Sequence, residues 1–418
     1  MAEATFIAAA DLHLGRPIAS LPEALRTSER SLGPFAALER IVDLAVRERA
    51  DAVLLAGDLV DDDGAYFEVF SAIQHAVATL DGIPMIAIAG NHDANVLPKL
   101  AESIEGLTLL GKGGQWQAHA LPTDAGDVEI LGWSFPDSHC RRSPFEAPPP
   151  PRAGRRIALL HGDLDASNSV YAPFTRADLR HHGADAWLLG HVHVPSFEAL
   201  TNAQPIGYLG SACGLDPSET GPHGAWVVRC RDEQTTVEHR PIAPTHWART
   251  AIESSAIDLD RLESALHEAA NRESLDSGEA RAVGVRVVVG GEHERWAELN
   301  ERIATLDLGG PWTCEGRTVF LDRVVGRSGP SLQLESLAQE PSAAGRIASL
   351  ILELEAGGAD EIVERVAESF ADLAGLRHFR IPPIGERAYP TPDARRTLVL
   401  EARAVLGELL AQHPRSGS

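Results

Sequence analysis

The first part of the chain alternates short apolar runs with longer segments of helical spacing. Residues 5–11 (TFIAAAD) and 51–58 (DAVLLAGD) are apolar runs that stop at an aspartate, and residues 83–93 (IPMIAIAGNHD) form a third run. Between them, residues 35–50 and 67–80 carry apolar side chains at the spacing of one helix face. This β-α-β-α-β order predicts parallel strands joined by right-handed crossovers.

The pattern then changes to strands that follow one another closely. Residues 106–135 contain three strand-like runs with little helix between them, and residues 155–193 contain two buried runs around a short helical segment. Residues 196–242 have the alternation of antiparallel strands. We therefore predict the α/β class, with two sheets packed face to face and helices outside, a four-layer α-β-β-α sandwich. The proline-rich segment 146–156 is expected to be an extended surface connection inside this domain.

A further change of pattern near Pro244 indicates more domains. Residues 245–327 alternate strand, helix, strand, helix, strand, and residues 328–418 are helical in pattern. We expect residues 1–244 to form the main domain, residues 245–327 a smaller α/β domain, and residues 328–418 a helical region. The length of 418 residues suits two or three domains.

Composition narrows the class of protein. The net charge of −23 argues against a protein that coats nucleic acid, because phosphate binding depends on Lys and Arg. It leaves a nuclease possible, since bound divalent cations reverse the local field. The sequence has no apolar run of the roughly 18 to 20 residues that a membrane span needs, and it starts without signal-peptide features. The four cysteines are scattered, so we expect a cytoplasmic protein without disulfides.

Residues of the types that bind metals follow five of the predicted strands. They are Asp11 and His13, Asp58, Asn91 with His92 and Asp93, His161, and His191 with His193. The carboxyl ends of parallel strands meet at one edge of a sheet, so these groups should gather there. In extended backbone, the two side chains of each pair spaced two apart would point to the same side. Gly57, Gly90 and Gly190 beside them permit sharp turns and close approach of the backbone.

This mixture of carboxylate, imidazole and amide ligands suits manganese, iron or zinc better than magnesium or calcium. The ligands outnumber the needs of one ion, whereas two ions about 3.5–4 Å apart, bridged by a carboxylate, would use them and serve in-line attack at phosphorus. Taken singly, each block has an ordinary explanation, such as a turn or a pair of partly buried histidines. The five together, each at a strand end, favour a metal site.

The blocks D-x-H, G-D, G-N-H-D, H and G-H-x-H, in this order over residues 11–193, resemble the calcineurin-like metallophosphoesterase superfamily. Residues 9–17, 161–179, 185–195 and 207–228 are similar to the SbcD-type DNA repair exonucleases, in particular their YhaO-like branch. In many SbcD proteins the first block reads D-W-H, whereas Leu12 stands here, so the packing behind the site differs while both ligands are kept.

The resemblance implies a role for each candidate ligand. One metal ion would be held by Asp11, His13 and His193. The other would be held by Asn91, His161 and His191. Asp58 would bridge the two ions, with a hydroxide between them as the nucleophile.

The resemblance also implies roles for two residues that are not ligands. His92 would protonate the leaving oxygen or orient the phosphate. Asp93 would hydrogen-bond a histidine, and its candidate partner is His92.

The implied activity is hydrolysis of DNA phosphodiester bonds by two divalent ions, manganese being favoured and iron or zinc being alternatives. The implied partners are DNA, a second copy of the chain, and an SbcC-like coiled-coil ATPase, which the C-terminal helices would bind through apolar stripes such as Ile347, Leu350, Ile351 and Leu354. Residues 245–327 would cap or shape the DNA entrance. One alternative is a phosphoesterase for nucleotides or cyclic nucleotides, and another is a non-catalytic subunit of such an ATPase.

Several further residues have two interpretations. Ser218–Gly221 (SETG) has no clear role, and a structural turn is favoured. Asp61–Asp63 would attract metal ions or, as we favour, begin the next helix. Tyr171 and Phe174 would stack on a base or pack in the core. Arginines near the proline-rich segment would contact the DNA backbone or only solubilise the surface, and these are Arg141, Arg142, Arg152, Arg155 and Arg156.

Overall fold

The structure, a computed structural model, describes residues 3–61, 64, 66–197, 204–232, 234–330, 332–375 and 394–412. In chain order, the strands β1 to β16 of these residues are Glu3–Ala9, Ala52–Ala56, Met85–Ile88, Leu107–Leu109, Trp116–Leu121, Val128–Trp133, Arg155–His161, Ala186–Gly190, Ser196–Phe197, Ile206–Tyr208, Ala225–Arg231, Gln234–Arg240, Thr245–Glu253, Ala282–Glu292, Trp312–Cys314 and Arg317–Gly329. The helices α1 to α12 are Glu23–Arg26, Glu29–Leu32, Pro34–Glu48, Tyr66–Leu80, Leu97–Ser103, Arg176–His182, Leu262–Leu275, Trp296–Ala304, Leu334–Leu337, Ala343–Glu355, Asp360–Gly375 and Ala394–Gln412. Short 3-10 helices occupy Pro144–Glu146, Ser254–Ala256 and Leu259–Arg261.

Two mixed sheets carry the predicted ligand blocks. The first has the order β12-β11-β1-β2-β3-β4 and the second the order β5-β6-β7-β8-β10-β9. Strands β1 to β4 are parallel, and so are β6, β7, β8 and β10. Three ligand blocks follow β1, β2 and β3 of the first sheet, and the other two lie at the ends of β7 and β8 of the second.

The two sheets pack against each other through a shared apolar layer. Phe6 and Leu54 of the first sheet and Ile157 and Leu188 of the second are fully buried in one cluster. The opposite face of the first sheet is also covered, since Ile7 lies in a second cluster with residues of α3 and α4. A strand buried on both faces needs a continuous apolar run, which explains residues 5–10. The predicted α-β-β-α sandwich is confirmed.

The proline-rich connection is fixed to the second sheet by arginines. Arg156 is 1% exposed and pairs with Glu129, and its guanidinium also donates to the carbonyl oxygens of Pro150 and Pro151. Arg152 Nη2 donates to both carboxylate oxygens of Asp185. The suggestion that Arg156 contacts DNA is therefore wrong, because its charge is already used to hold the loop.

The remaining elements follow the predicted order of strands and helices. A third sheet has the order β13-β14-β16-β15. By compactness, the chain divides into one unit of residues 1–248, 273–285 and 310–322 and another of residues 249–272, 286–309 and 323–418. The three-domain division at residues 244 and 327 stays a prediction.

The apolar stripe predicted for partner binding is largely used within the second unit. Ile351 and Leu354 of α10 are fully buried. Ile351 packs in one cluster with Leu337 of α9 and Leu406 of α12, and Ile347 packs against that cluster. A partner would therefore have to bind other parts of these helices. Among the described residues, no helix combines the length and the apolar character that crossing a membrane requires.

Candidate metal centre

Two of the ligand loops of the first sheet, those after β1 and β2, contain left-handed backbone. Asp11, His13 and Asp58 each have a φ of 50°, and His191 in the second sheet has a φ of 100°. The loops are joined by hydrogen bonds from Asp11 N to Gly57 O (3.1 Å) and from His13 N to Asp58 O (3.0 Å). The expectation of extended backbone is therefore wrong both at Asp11–His13 and at His191. Such conformations cost energy in residues other than glycine, and they cluster at functional sites.

The glycines of the motifs make room for the ligands. A Cβ on Gly90 would lie 2.2 Å from Asp58 Oδ1, and one on Gly190 would lie 2.0 Å from the carbonyl oxygen of Ala56. Gly57 has a φ of 93°, and a Cβ there would lie 2.4 Å from His161 Nδ1. The predicted close approach is confirmed at all three positions.

The structure brings the predicted ligands into two adjoining groups. In the first, His13 Nε2 lies 3.1 Å from His193 Nε2, and donor atoms of both lie within 4.8 Å of Asp11. In the second, Asn91 Oδ1 lies 3.2 Å from His161 Nε2 and 3.0 Å from His191 Nδ1.

Asp58 stands between the two groups. Its Oδ2 lies 3.3 Å from His161 Nε2 and 3.9 Å from His13 Nε2, while its Oδ1 accepts a hydrogen bond from His92 N. This is the position that a bridging carboxylate needs. That these atoms bind metal ions stays a prediction.

In each candidate histidine ligand, one ring nitrogen faces the donor groups. The second ring nitrogen lies close to an oxygen atom outside those groups. His13 Nδ1 lies 3.0 Å from Asp61 Oδ1, and His193 Nδ1 lies 2.8 Å from Glu219 Oε1. His161 Nδ1 lies 3.0 Å from the carbonyl oxygen of Ala56.

The ring of His191 is turned the other way from those of the other three histidines, with Nδ1 and not Nε2 toward the donor groups. Its Nε2 lies 3.4 Å from Asp163 Oδ1 without forming a hydrogen bond among the described residues, so its Nδ1 is the nitrogen that faces Asn91. A hydrogen-bonded oxygen behind a ligating histidine fixes its orientation and tautomer, and His13, His161 and His193 each have one.

The charges of the site favour a cation. Burial opposes ionisation of Asp58, but His161 and His13 beside it hold the pKa of Asp58 below its usual range. Burial also opposes the charged form of His161, yet Asp58 raises the pKa of His161 to about 9. An ion bound by His161 would therefore take the place of a proton, since a ligating imidazole is neutral. Burial and the neighbouring His161 lower the pKa of His191 to about 3, so its imidazole is neutral and keeps a lone pair for a ligand.

The donor set fits divalent ions of the first transition row. It joins carboxylate, amide and imidazole donors, most of them buried, with two imidazole nitrogens 3.1 Å apart. Nitrogens that each lie about 2.0–2.1 Å from one ion are separated by about this distance. His13 and His193 are thus arranged like two ligands of the same ion.

His92 differs from the candidate ligands in being exposed. Its side chain is 42% exposed, and its Nδ1 lies 3.2 Å from the carbonyl oxygen of Asp61. Its ring meets His13 edge-on at 4.7 Å. His92 can therefore touch a substrate at the mouth of the site, although it also lies within 4.8 Å of donor atoms of His13 and Asp58.

Asp93 has a different partner from the one expected. Its Oδ2 accepts from the backbone N–H of Leu59 and Val60, and its Oδ1 accepts from Gly90 N. The prediction that Asp93 hydrogen-bonds His92 is wrong. The fully buried carboxylate instead ties the loop after β2 to the loop after β3, which fixes Asp58 and Asn91 relative to each other.

Three acidic residues at the site have roles that sequence reasoning missed. The sequence favours Asp61 as the start of a helix over the attraction of metal ions, but Asp61 contacts His13 and α4 begins only at Tyr66. Asp62 and Asp63 lie outside the described residues. The sequence predicts only a turn around Glu219, and no motif marks Asp163. The local signals were an acidic run directly after the second block and an aspartate two residues after His161.

Aromatic and basic side chains lie beside the site. The half-buried Tyr171 has its ring 4.7 Å from that of His191 and stacks on the exposed His139, whereas Phe174 is buried in the core. Arg16 lies near enough to Asp61 and His193 to act on their charges, and it has no ion-pair partner among the described residues. These groups offer a stacking surface and a cation to a substrate.

Comparison with known proteins agrees with this geometry. Residues 4–195 match the family model of the calcineurin-like phosphoesterases. The metallophosphoesterase YhaO of Bacillus subtilis is 29% identical over 294 residues, which cover 60% of this chain and 64% of that protein. The DNA double-strand break repair protein Mre11 of Aeropyrum pernix is 30% identical over 225 residues, which cover 50% and 52% of the two chains.

The chain thus spans less than two thirds of the length of these relatives. Among solved structures, a dimetal phosphatase from Danio rerio has 13% identity and a TM-score of 0.35, covering 56% of this chain and 98% of its own. The segment matched by the family model contains every predicted ligand. This chain therefore carries a calcineurin-like metallophosphoesterase domain, homologous to YhaO and to the Mre11-type DNA repair proteins.

Proposed function

We propose that this metallophosphoesterase hydrolyses DNA phosphodiester bonds with two divalent ions. The observation that carries the proposal is the position of Asp58 between two donor groups, beside the exposed His92. The first ion would be held by Asp11, His13 and His193. The second would be held by Asn91, His161 and His191, with Asp58 shared.

The chain's own residues would divide the work at the phosphodiester. The two ions would supply Lewis-acid stabilisation of the charge that develops on phosphorus-bound oxygens. His92 would hold the proton that the leaving oxygen receives, since it is the exposed imidazole at the mouth. Asp93 would act indirectly, by holding the loops that carry Asp58 and Asn91.

DNA as the substrate is supported by two features. The Mre11 relatives are DNA double-strand break repair proteins. Tyr171 and His139 form an aromatic stack next to His191, and a nucleobase adjoining the cleaved phosphate would stack on such a surface. Arg16 would contact a phosphate of the bound strand. We infer manganese as the ion. An SbcC-like ATPase partner, a homodimer and a cytoplasmic location also remain proposals.

A second candidate is a phosphoesterase for nucleotides or cyclic nucleotides. The net charge of −23 favours it, because a long DNA strand meets more repulsion than a small ester does.

The deciding experiment compares manganese-dependent cleavage of single-stranded DNA, double-stranded DNA and bis-p-nitrophenyl phosphate by the full chain. Cleavage of DNA that stops on chelation and returns with manganese supports the nuclease. Cleavage of the small ester without cleavage of DNA would overturn it in favour of the second candidate.

A further inference from the structure

The buried polar group around Glu219 lies behind His193 and outside every motif with an implied metal role. Glu219 is 7% exposed, Ser211 is fully buried and His223 is 2% exposed. Glu219 belongs to the SETG turn, 26 positions after His193, and its Oε1 lies 2.8 Å from His193 Nδ1. A buried carboxylate is costly unless it is fully partnered, so its presence here requires an explanation.

Each carboxylate oxygen of Glu219 has its own hydrogen-bonding partners. Oε2 accepts from Ser211 Oγ at 2.7 Å and from Leu215 N at 3.2 Å. Oε1 is left for His193, and the backbone oxygen of Glu219 lies 3.1 Å from His223 Nε2. With Oε2 occupied by two donors, Oε1 remains as a fixed acceptor that faces one imidazole.

His223 and Ser211 hold this arrangement from behind. His223 Nδ1 lies 2.9 Å from Ser211 Oγ and 3.0 Å from the carbonyl oxygen of Ser211. Ser211 N donates to the carbonyl oxygen of His193 at 2.9 Å, so the same segment fixes both the backbone and the ring of His193.

We propose that Glu219 is a positioning residue for the metal centre, which keeps the proton of His193 on Nδ1 and directs the Nε2 lone pair to the ion shared with His13. The proposal rests on the proposed two-ion function and deepens it. Ser211 and His223 orient Glu219, and the SETG turn thereby gains a role in metal binding. Removal of such partners typically lowers metal affinity about 10- to 100-fold.

Glu219→Gln is the most informative variant, because glutamine has the shape of glutamate but replaces one hydrogen-bond acceptor, a carboxylate oxygen, with a donor, an NH₂ group. If the amide oxygen faces Ser211 and Leu215, its NH₂ faces His193 and demands an acceptor at Nδ1, which places the proton on Nε2. If the amide is reversed, its NH₂ meets the N–H of Leu215. The first orientation therefore disfavours the tautomer that binds metal, and the second costs the hydrogen bond from Leu215 N that holds the side chain in place. Ser218→Ala is the matched control, since Ser218 bonds Asp216 at the exposed end of the same turn.

The experiment measures Mn²⁺ binding to the metal-free full chain by competition with a fluorescent chelator. We expect Glu219→Gln to weaken one of two ions about 10- to 100-fold and Ser218→Ala to weaken neither. Affinities within twofold of wild type for both ions in Glu219→Gln would overturn the proposal. If wild type binds two ions but cleaves no DNA, the nuclease proposal fails while the role of Glu219 is still decided by affinity.

A second measurement uses the wild-type protein, so that the proposal can be tested even if Glu219→Gln does not fold. In Zn²⁺-loaded wild type with ¹⁵N-labelled histidine, His193 should carry its proton on Nδ1, with Nε2 bound to the ion. The signal is assigned by its absence in His193→Gln. A proton on Nε2, or an ion bound through Nδ1, would overturn the proposal. A chain that binds no ion overturns the metal centre and this role together.

Discussion

His13 and His193 face each other with their Nε2 atoms 3.1 Å apart, although 180 positions separate them in the chain. The contact exists because the end of β1 meets the segment after β10. Ala10 bridges to Ser211 there, and Ser211 N in turn bonds the carbonyl oxygen of His193. Each ring is held from behind by a carboxylate, that of Asp61 or Glu219. The backbone and both rings of the pair are thus held by contacts within the fold.

Replacing His193 should remove one ion and leave the other. His193→Ala deletes a donor of the group with Asp11 and His13, while the group of Asn91, His161 and His191 keeps all its side chains. Elemental analysis of the manganese-loaded protein should give two ions per chain for wild type and one for the variant. His181→Ala, at an exposed position on α6, is the control and should keep two. Two ions in His193→Ala would show that our ligand assignment is wrong.

Replacing His92 should separate binding from chemistry. His92→Ala removes the exposed imidazole at the mouth, so we expect both ions to remain and the turnover of DNA to fall about 10²- to 10⁴-fold. The measurement combines elemental analysis with kcat under saturating manganese. Loss of an ion would make His92 a ligand, and an unchanged kcat would remove it from the mechanism.

A methyl group at position 90 should disturb the shared carboxylate. The Cβ of Gly90→Ala would lie 2.2 Å from Asp58 Oδ1 and 2.7 Å from Asp58 N, so the Asp58 loop must shift. We expect weaker binding of both ions, because Asp58 lies between the two groups. Titration with Mn²⁺ should show this, with Gly154→Ala as the control, since a Cβ there meets nothing within 4 Å. If only one ion weakens in Gly90→Ala, Asp58 does not bridge.

Much of this site can be predicted from the sequence. The features that cannot be predicted arise from contacts that only the folded chain makes. Runs such as residues 51–58 predict strands because both faces are buried, and the glycine motifs at their ends mark the ligands. Sequence gave no sign of the left-handed backbone at Asp11 and His13, since the tight packing of two loops imposes it. Glu219 was equally hidden, because its partner His193 lies on another strand end and only the folded chain brings the two together.

Replacing Arg156 should lower the free energy of unfolding and leave DNA binding unaffected. Arg156→Ala would leave Glu129 without its partner and free the carbonyl oxygens of Pro150 and Pro151. Breaking a buried ion pair typically costs about 3–5 kcal/mol, and we expect roughly the lower end because Glu129 is partly exposed. Urea unfolding followed by fluorescence should show the loss, with the exposed Arg141→Ala as the control. A variant as stable as wild type would contradict this role.

Tyr171 should distinguish a DNA strand with bases from a strand without them. Its ring lies 4.7 Å from the ring of His191 and stacks on His139, so a base next to the cleaved phosphate would gain contact there. Stacking of a base on an aromatic side chain contributes about 1–3 kcal/mol, which is roughly 5- to 150-fold in affinity. Tyr171→Ala should therefore raise KM for single-stranded DNA within that range and leave KM for an abasic strand of the same length within about twofold, because that strand has no base to stack. His139→Ala tests the second ring of the stack in the same assay. Equal losses on both substrates in Tyr171→Ala would mean that the ring supports His191 and does not contact a base.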